Sequence, residues 1–466
     1  MKLAARASVH SLLLILLLVN ATDGIAAEQC AGPANGSGDG VWKAGVARVV
    51  ITPEQPMRLI GYGNMERFSK GKLHDLWVKA LALEDPRGTR MLLVTADLVG
   101  IDKLLSDAIC EELVGSLKLP RESIVIATSH THTGPLPTSQ KAATLLGLSA
   151  EESAKIDAYV ASLQRAFVRV AQEALAALVP ARVAWGNGST DFAVNRRENP
   201  PEANVAELRA AGKFKGPEDH QVPVLRVSGP DGKLRAAVFG YACHNTAAGG
   251  SSLWGGDYAG FSQIELEKTH PGAVALFFSG CGGDQEPRPR STVELAARHG
   301  RTLADAVEQV LKSDMRPVSG RLEARFAIVD LPYESLPTQK ELEERARRGN
   351  RSARLQLEQI KEKGALSPTY PYPVQVWKLG ADLTLVALAG EPVVDYSLRL
   401  KKELGPDGTW VAGYCNDIMA YIPSLRVLRE GGYEGKNSMF SNGHPSVWGP
   451  QVEELIVAKV HELAGR

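Results

Sequence analysis

Neither sign of charge is in excess in this 466-residue chain, where 53 Lys and Arg balance 53 Asp and Glu without any dense basic block. A surface that neutralises many phosphates needs such a block, so nucleic acid is excluded as a partner and a small or lipid-like ligand is expected. Cysteine is scarce as well. Cys30, Cys110, Cys243, Cys281 and Cys415 are widely separated and odd in number, which excludes a disulfide-dense scaffold. Cys243 and Cys281 each adjoin a candidate site segment, so a pair between them and buried free thiols both remain open. The chain also lacks an internal repeat or a low-complexity linker, and it is long enough for a substantial core. One large domain is the simplest organisation.

Long apolar runs are missing except near the start, where residues 12–19 follow Lys2 and Arg6 and precede the small residues of Gly24-Ile25-Ala26-Ala27. That pattern is a secretory signal peptide over residues 1–27, cleaved after Ala27. Its apolar part is too short to span a bilayer, so the mature chain is expected to carry no transmembrane segment and to be secreted or periplasmic. Residues 28–43, rich in Gly and Asn, read as a flexible leader, and residues 44–466 as the domain proper.

Within the domain, strand-like and helix-like segments alternate. Residues 91–96, 124–127, 182–185, 222–227, 234–241, 273–278, 322–331 and 383–389 read as strands, with a turn at Pro230-Asp231-Gly232 pairing two of them. Residues 101–117, 154–178, 257–268, 292–311 and 451–463 read as helices. Residues 338–361, dense in charge, read as an exposed helix or hairpin. The class is therefore α/β, a β-sheet core flanked by helices, with a site expected on loops at strand ends.

Several strand-like runs end in polar residues: Asp97, His130 and His132, His244 and Asn245, Asp284, and Glu391. Ser129-His130-Thr131-His132-Thr133 is the most informative, because a period of two in extended backbone places both imidazoles on one face. Two such imidazoles resemble half of a zinc site, and His244 and Glu391 are ligands of the right type to complete one. Taken singly, each has a plainer reading: His244 as a core histidine, Asp97 as a cap or turn residue, Glu391 as an acid at a helix start. The Gly280-Cys281-Gly282-Gly283 run reads as an anion cradle or a tight turn. It lacks the Lys-Ser/Thr ending of a phosphate loop, which argues against nucleotides. Tyr421 and Tyr433 lie in loops and read as packing residues, as donors to a developing oxyanion, or as a metal-bound phenol.

Together these residues resemble the catalytic domain of the neutral/alkaline, non-lysosomal ceramidase family. The likeness runs from Gly45-Val46-Ala47 through Ile51-Thr52-Pro53, Gly61-Tyr62-Gly63, Thr128 to Pro135, Asn195-Arg196 and Gly283-Asp284. It ends with Glu391-Pro392, Asn416-Asp417, Tyr421 and Gly432-Tyr433-Glu434-Gly435. The resemblance implies Zn2+ held by His130, His244, Glu391 and Tyr421. It makes His132 a proton shuttle beside the metal, Arg196 a group that binds and polarises around the substrate, and Tyr433 a donor to the oxyanion. The implied reaction is hydrolysis of an N-acyl amide, ceramide giving a fatty acid and sphingosine.

Two departures qualify the substrate. The family's Gly-Asp-x-Ser-Pro pattern reads here Gly283-Asp284-Gln285-Glu286-Pro287, so Glu286 adds a negative charge suited to a polar substrate group. Members also carry an immunoglobulin-like module after the catalytic domain, whereas this chain ends at Arg466. Transient contact with a membrane surface is therefore expected on different terms. The alternatives are a zinc hydrolase of the same architecture acting on another, non-lipid amide or ester, and an exported binding protein with a degenerate site.

Overall fold

A strand buried on both faces must be apolar on both, and strands of this kind, such as Ile124–Thr128 and Val274–Ser279, lie within the three larger sheets of this computed structural model. It describes residues 41–62, 67–137, 145–200 and 203–466. The signal peptide, and the leader up to residue 40, lie outside the described residues. The first sheet runs in the order Ile124–Thr128, Arg90–Ala96, Trp77–Glu84, Lys43–Val50, Val179–Pro180. The second runs Val274–Ser279, Leu234–Tyr241, Gln221–Ser228, Arg182–Ser189, Arg316–Pro317, and the third Leu322–Pro332, Thr369–Leu379, Leu383–Leu388, Thr409–Ala412.

The period of two along each strand decides which layer a side chain joins. Leu81 and Leu83 of the first sheet, Val274, Leu276 and Phe278 of the second, and Leu383 and Leu385 of the third share one central core. Their neighbours point outward to helices. Ala80 and Ala82 meet Lys103–Leu117 and Ala150–Ala176, Phe277 meets Asp257–Thr269 and Val293–Leu311, and Val386 and Leu388 meet Val394–Leu404 and Val452–Ala464. The domain is thus α/β, with mixed sheets flanked by helices.

Each sheet holds one parallel pair joined through a helix. Arg90–Ala96 leads through Lys103–Leu117 to Ile124–Thr128, and Leu234–Tyr241 leads through Asp257–Thr269 to Val274–Ser279. Leu383–Leu388 leads through Val394–Leu404 to Thr409–Ala412. The C-terminal ends of these strands carry Asp97, His130, His244, Asp284, Glu391 and Tyr414 in the segments that follow them.

Some expectations shift. The strand expected over 182–185 continues to Ser189, because Gly186 and Gly188 let the helix Val293–Leu311 pack where a Cβ would stand 2.9 and 2.8 Å from the side chain of Val310. The charged segment 338–361 is a hairpin of two helices, Gln339–Arg347 and Arg351–Lys363, begun by a Thr338/Glu341 capping box. Cys243 and Cys281 are free, buried thiols, since they pack in the outer layers of two different sheets.

Candidate active site

The loops at the three sheets' strand ends satisfy one another's backbone groups, as buried N–H and C=O groups must. Asn416 N donates to Ile126 O (2.8 Å), Gly413 N to Ser279 O (2.9 Å), and His132 N to Asn245 O (3.2 Å). Asn245 also donates its side-chain amide to Ser129 O, which pins the histidine loop from the neighbouring sheet.

The strand ends at Thr128, and His130 turns into the left-handed region at φ +58°. The extended register expected to align the two imidazoles is therefore broken. The turn brings them together instead, with Nε2 of His130 and His132 3.1 Å apart. His130 Nδ1 lies 2.6 Å from Val99 O, and His244 Nδ1 lies 2.6 Å from Gly282 O. A carbonyl only accepts, so each Nδ1 carries a proton and each Nε2 faces the other way, toward the centre. The Gly280–Gly283 run is thus a tight turn whose carbonyl sets the His244 tautomer.

Glu391 follows the strand Leu383–Leu388 and pairs in register with Tyr421 across a short parallel bridge. Its Oε2 lies 3.2 Å from Nε2 of both His130 and His244 and is buried with no hydrogen-bond donor. The acid expected at the start of the next helix is instead Asp284, whose carboxylate accepts from Val394 N at 2.8 Å. Tyr421 brings its hydroxyl 3.1 Å from His244 Nε2.

Lone pairs facing lone pairs at these distances repel, unless protons or a cation stand between them. Tetrahedral zinc with bonds near 2.0–2.1 Å has ligand–ligand edges of about 3.3 Å, so the donor set and its spacing fit that metal. The three imidazoles place donor atoms within 4.8 Å of one another, and Glu391 and Tyr421 complete a ring of five donors.

His132 differs from the other two rings. Its Nδ1 is buried without a hydrogen-bond partner. Burial, then the neighbouring His130 and His244, hold its pKa well below the usual imidazole value, so the ring is neutral. Burial, then Arg196, push His244 down to about 4. Burial alone would raise Glu391, but His130 and His244 beside it hold the carboxyl well below its ordinary range.

Arg196 reaches the same centre. Its Nη2 donates to the Tyr421 hydroxyl (3.0 Å) and to Gly283 O (2.8 Å), while Nε donates to Glu434 (2.9 Å). Tyr433 sits on the turn Tyr433–Asn437, half exposed, with its ring 5.4 Å from that of Tyr421. The structure therefore brings together His130, His132, His244, Glu391, Tyr421 and Arg196, with Tyr433 at the rim.

Sequence reasoning missed two contributors. Glu434 holds Arg196, and Tyr414, at φ +56°, lays its ring 4.4 Å from that of His130. Glu434 stood in the quoted Gly-Tyr-Glu-Gly motif, but nothing in the order of residues paired it with Arg196 and Arg197, which lie far upstream. Asp97 is absent from the donor ring; it is a turn residue that accepts from Trp77 N and Gln263 Nε2. Glu286 is buried against Arg288 (2.5 Å) and Arg290 (3.1 Å), so its charge is answered within the chain.

Other motif residues are scaffold. Asn195 donates to Asp284, whose carbonyl accepts from Arg196 N, and Asn416 accepts from Ile126 N while donating to Gln375. Asp417 accepts from Tyr370 Oη at 2.7 Å, and burial pushes its pKa up to about 7. A carboxyl raised in the fold contributes its stability below the unfolded pKa near 4 and loses it as pH rises through 7. Asp417→Asn should therefore stabilise the fold by about 1–3 kcal/mol at pH 8, with the gain fading by about pH 4. Urea unfolding at both pH values measures this, and an equal effect at the two would refute it.

Four likenesses to known families and proteins accompany this geometry. The family model described as "Neutral/alkaline non-lysosomal ceramidase, N-terminal" matches residues 42–293. The neutral ceramidase of Pseudomonas aeruginosa is 24% identical over 331 residues, 64% of this chain and 46% of that protein, so the chain spans about half the length of this curated relative. The crystal structure of neutral ceramidase from Pseudomonas aeruginosa shares the fold with a TM-score of 0.71 at 20% identity, over 92% of this chain and 74% of that one. A structure titled "Ceramidase complexed with C2" gives a TM-score of 0.69 at 20% identity, over 91% and 76% of the two chains.

Proposed function

The chain belongs to the neutral/alkaline non-lysosomal ceramidase family, and from that premise we propose that it is a zinc-dependent hydrolase of an N-acyl amide, ceramide being the substrate that the resemblance implies. The carrying observation is Glu391 Oε2, buried without a donor between two imidazoles whose Nδ1 protons are given to backbone carbonyls. His130, His244, Glu391 and Tyr421 would hold the ion. When bound there, zinc would polarise the scissile carbonyl and bring the pKa of water toward neutrality.

The remaining chemistry falls to side chains. His132 stands beside the proposed ligands with a buried Nδ1 that has no partner, so it accepts a proton from the attacking water and passes it to the leaving amine. Tyr433, at the rim and half exposed, donates to the oxyanion as the carbonyl becomes tetrahedral. Arg196 donates to the phenol oxygen of Tyr421 and so keeps that oxygen turned toward the centre. Its Nε and Nη2 are engaged by the chain, which favours this holding role over a clamp on substrate.

A polar, non-lipid substrate was the alternative suggested by Glu286. With Arg288 and Arg290 neutralising that carboxylate, the alternative loses its main support. Among the described residues no helix is long and apolar enough to cross a membrane, so a lipid substrate would be met at a surface. Residues 1–27 would direct the chain to the periplasm or beyond.

The test is metal analysis with a hydrolysis panel. We expect about one zinc per chain, release of sphingosine from a short-acyl ceramide, and loss of at least about 100-fold in rate on chelation, restored by zinc. Full activity in metal-free protein would overturn the reading. Turnover confined to soluble N-acyl compounds would move the substrate to the alternative.

A further inference from the structure

We infer that Glu434 is a positioning residue for the site: it sets the Arg196 guanidinium against the Tyr421 oxygen and acts through Arg196. The inference rests on the zinc-hydrolase reading above. Glu434 is buried, and its two oxygens divide between two arginines, Oε1 taking Arg196 Nε at 2.9 Å and Oε2 taking Arg197 Nη1 at 2.7 Å. Arg197 is held in turn by Glu430 (3.0 Å) and by the carbonyl of Gly431 (3.1 Å). Arg196 then has one orientation, with Nη2 shared between Tyr421 Oη and Gly283 O.

The backbone underlines the constraint. Gly431 and Gly432 take φ +74°, ψ −138° and φ +76°, ψ −156°, a region open in practice to glycine alone, and they deliver Glu434 into the interior on the turn that leaves Tyr433 outside. A carboxylate buried beside two guanidiniums is charge-assisted and bidentate in effect, which makes it a rigid support. Without it Arg196 keeps only the Gly283 carbonyl and the phenol, and the phenol loses a fixed donor. Outer supports of metal ligands of this kind are worth about 10–100-fold in metal affinity or activity.

The experiment is a double-substitution cycle on zinc affinity, measured by competition with a chromophoric chelator, and on kcat/KM for a short-acyl ceramide. Glu434→Gln keeps the shape and one acceptor while removing the charge. It should lower zinc affinity about 10-fold or more in the wild-type background. In an Arg196→Gln background the same substitution should cost less than about twofold, because the residue it acts through is gone. KM should change less than kcat.

If Glu434→Gln does not accumulate folded, Glu434→Asp takes its place in the same cycle, since it keeps the charge but is too short to reach both arginines. Equal losses in the two backgrounds would overturn the role, as would unchanged zinc affinity in a protein that binds zinc. Wild-type protein that binds no zinc would instead overturn the reading on which this inference stands.

Discussion

His130→Ala and Glu391→Ala should each leave a folded protein that retains no zinc after dialysis and has lost activity by roughly three orders of magnitude or more, as expected where a metal supplies the chemistry. The two substitutions remove different things. His130 contributes a lone pair already aimed by the hydrogen bond from Nδ1 to Val99, so its loss deletes a prepositioned donor without freeing a charge. Among the described residues, Glu391 contributes the carboxylate placed 3.2 Å from both imidazoles, so its loss also removes the negative charge that favours a cation there. Glu391→Gln should fall between wild type and alanine in zinc content, because it retains an oxygen but not the charge. Metal analysis of the three variants, alongside near-ultraviolet circular dichroism to confirm folding, checks this. Zinc retained at full occupancy in Glu391→Ala would remove that residue from the ligand set.

His132→Ala is expected to behave in the opposite sense, keeping zinc while losing about 10²–10⁴-fold in kcat, the range of a lost general acid–base. The expectation turns on Nδ1. In His130 and His244 that nitrogen is tied to a carbonyl, which commits the ring to one tautomer. In His132 it is untied, and a ring that can carry its proton on either nitrogen suits proton transfer better than permanent ligation. The three imidazoles nevertheless converge within 4.8 Å, so proximity does not divide the roles by itself. Loss of zinc from His132→Ala would place this ring among the ligands and reassign the proton transfer.

Much of this was legible in the order of residues, for identifiable reasons. Strands such as Val274–Ser279 are buried on both faces and therefore read as continuous apolar runs, and the polar residues just past them, His130, His244 and Glu391, are where the donors stand. Trp77–Glu84 was not legible, because Lys79 interrupts its apolar run. That ammonium is buried, paired with Glu267 at 2.7 Å and bonded to Ala275 O at 2.8 Å, partners nearly two hundred residues away. The role of Glu434 was hidden for the same reason, since its partners Arg196 and Arg197 lie far upstream. The threefold recurrence of a strand–helix–strand unit left no repeat in the sequence, because each sheet needs only apolar alternation and not the same residues.

That recurrence bears on how the centre comes into being. His130, His244 and Glu391 hang from three separate layers, and no single layer, nor any two, supplies the set. A partly assembled chain lacks the full set, so an ion held by all three ligands would be gripped in full only once the last layer docks. An ion held by all three would act as a rivet through them, and prising any layer away would then mean first giving up the metal.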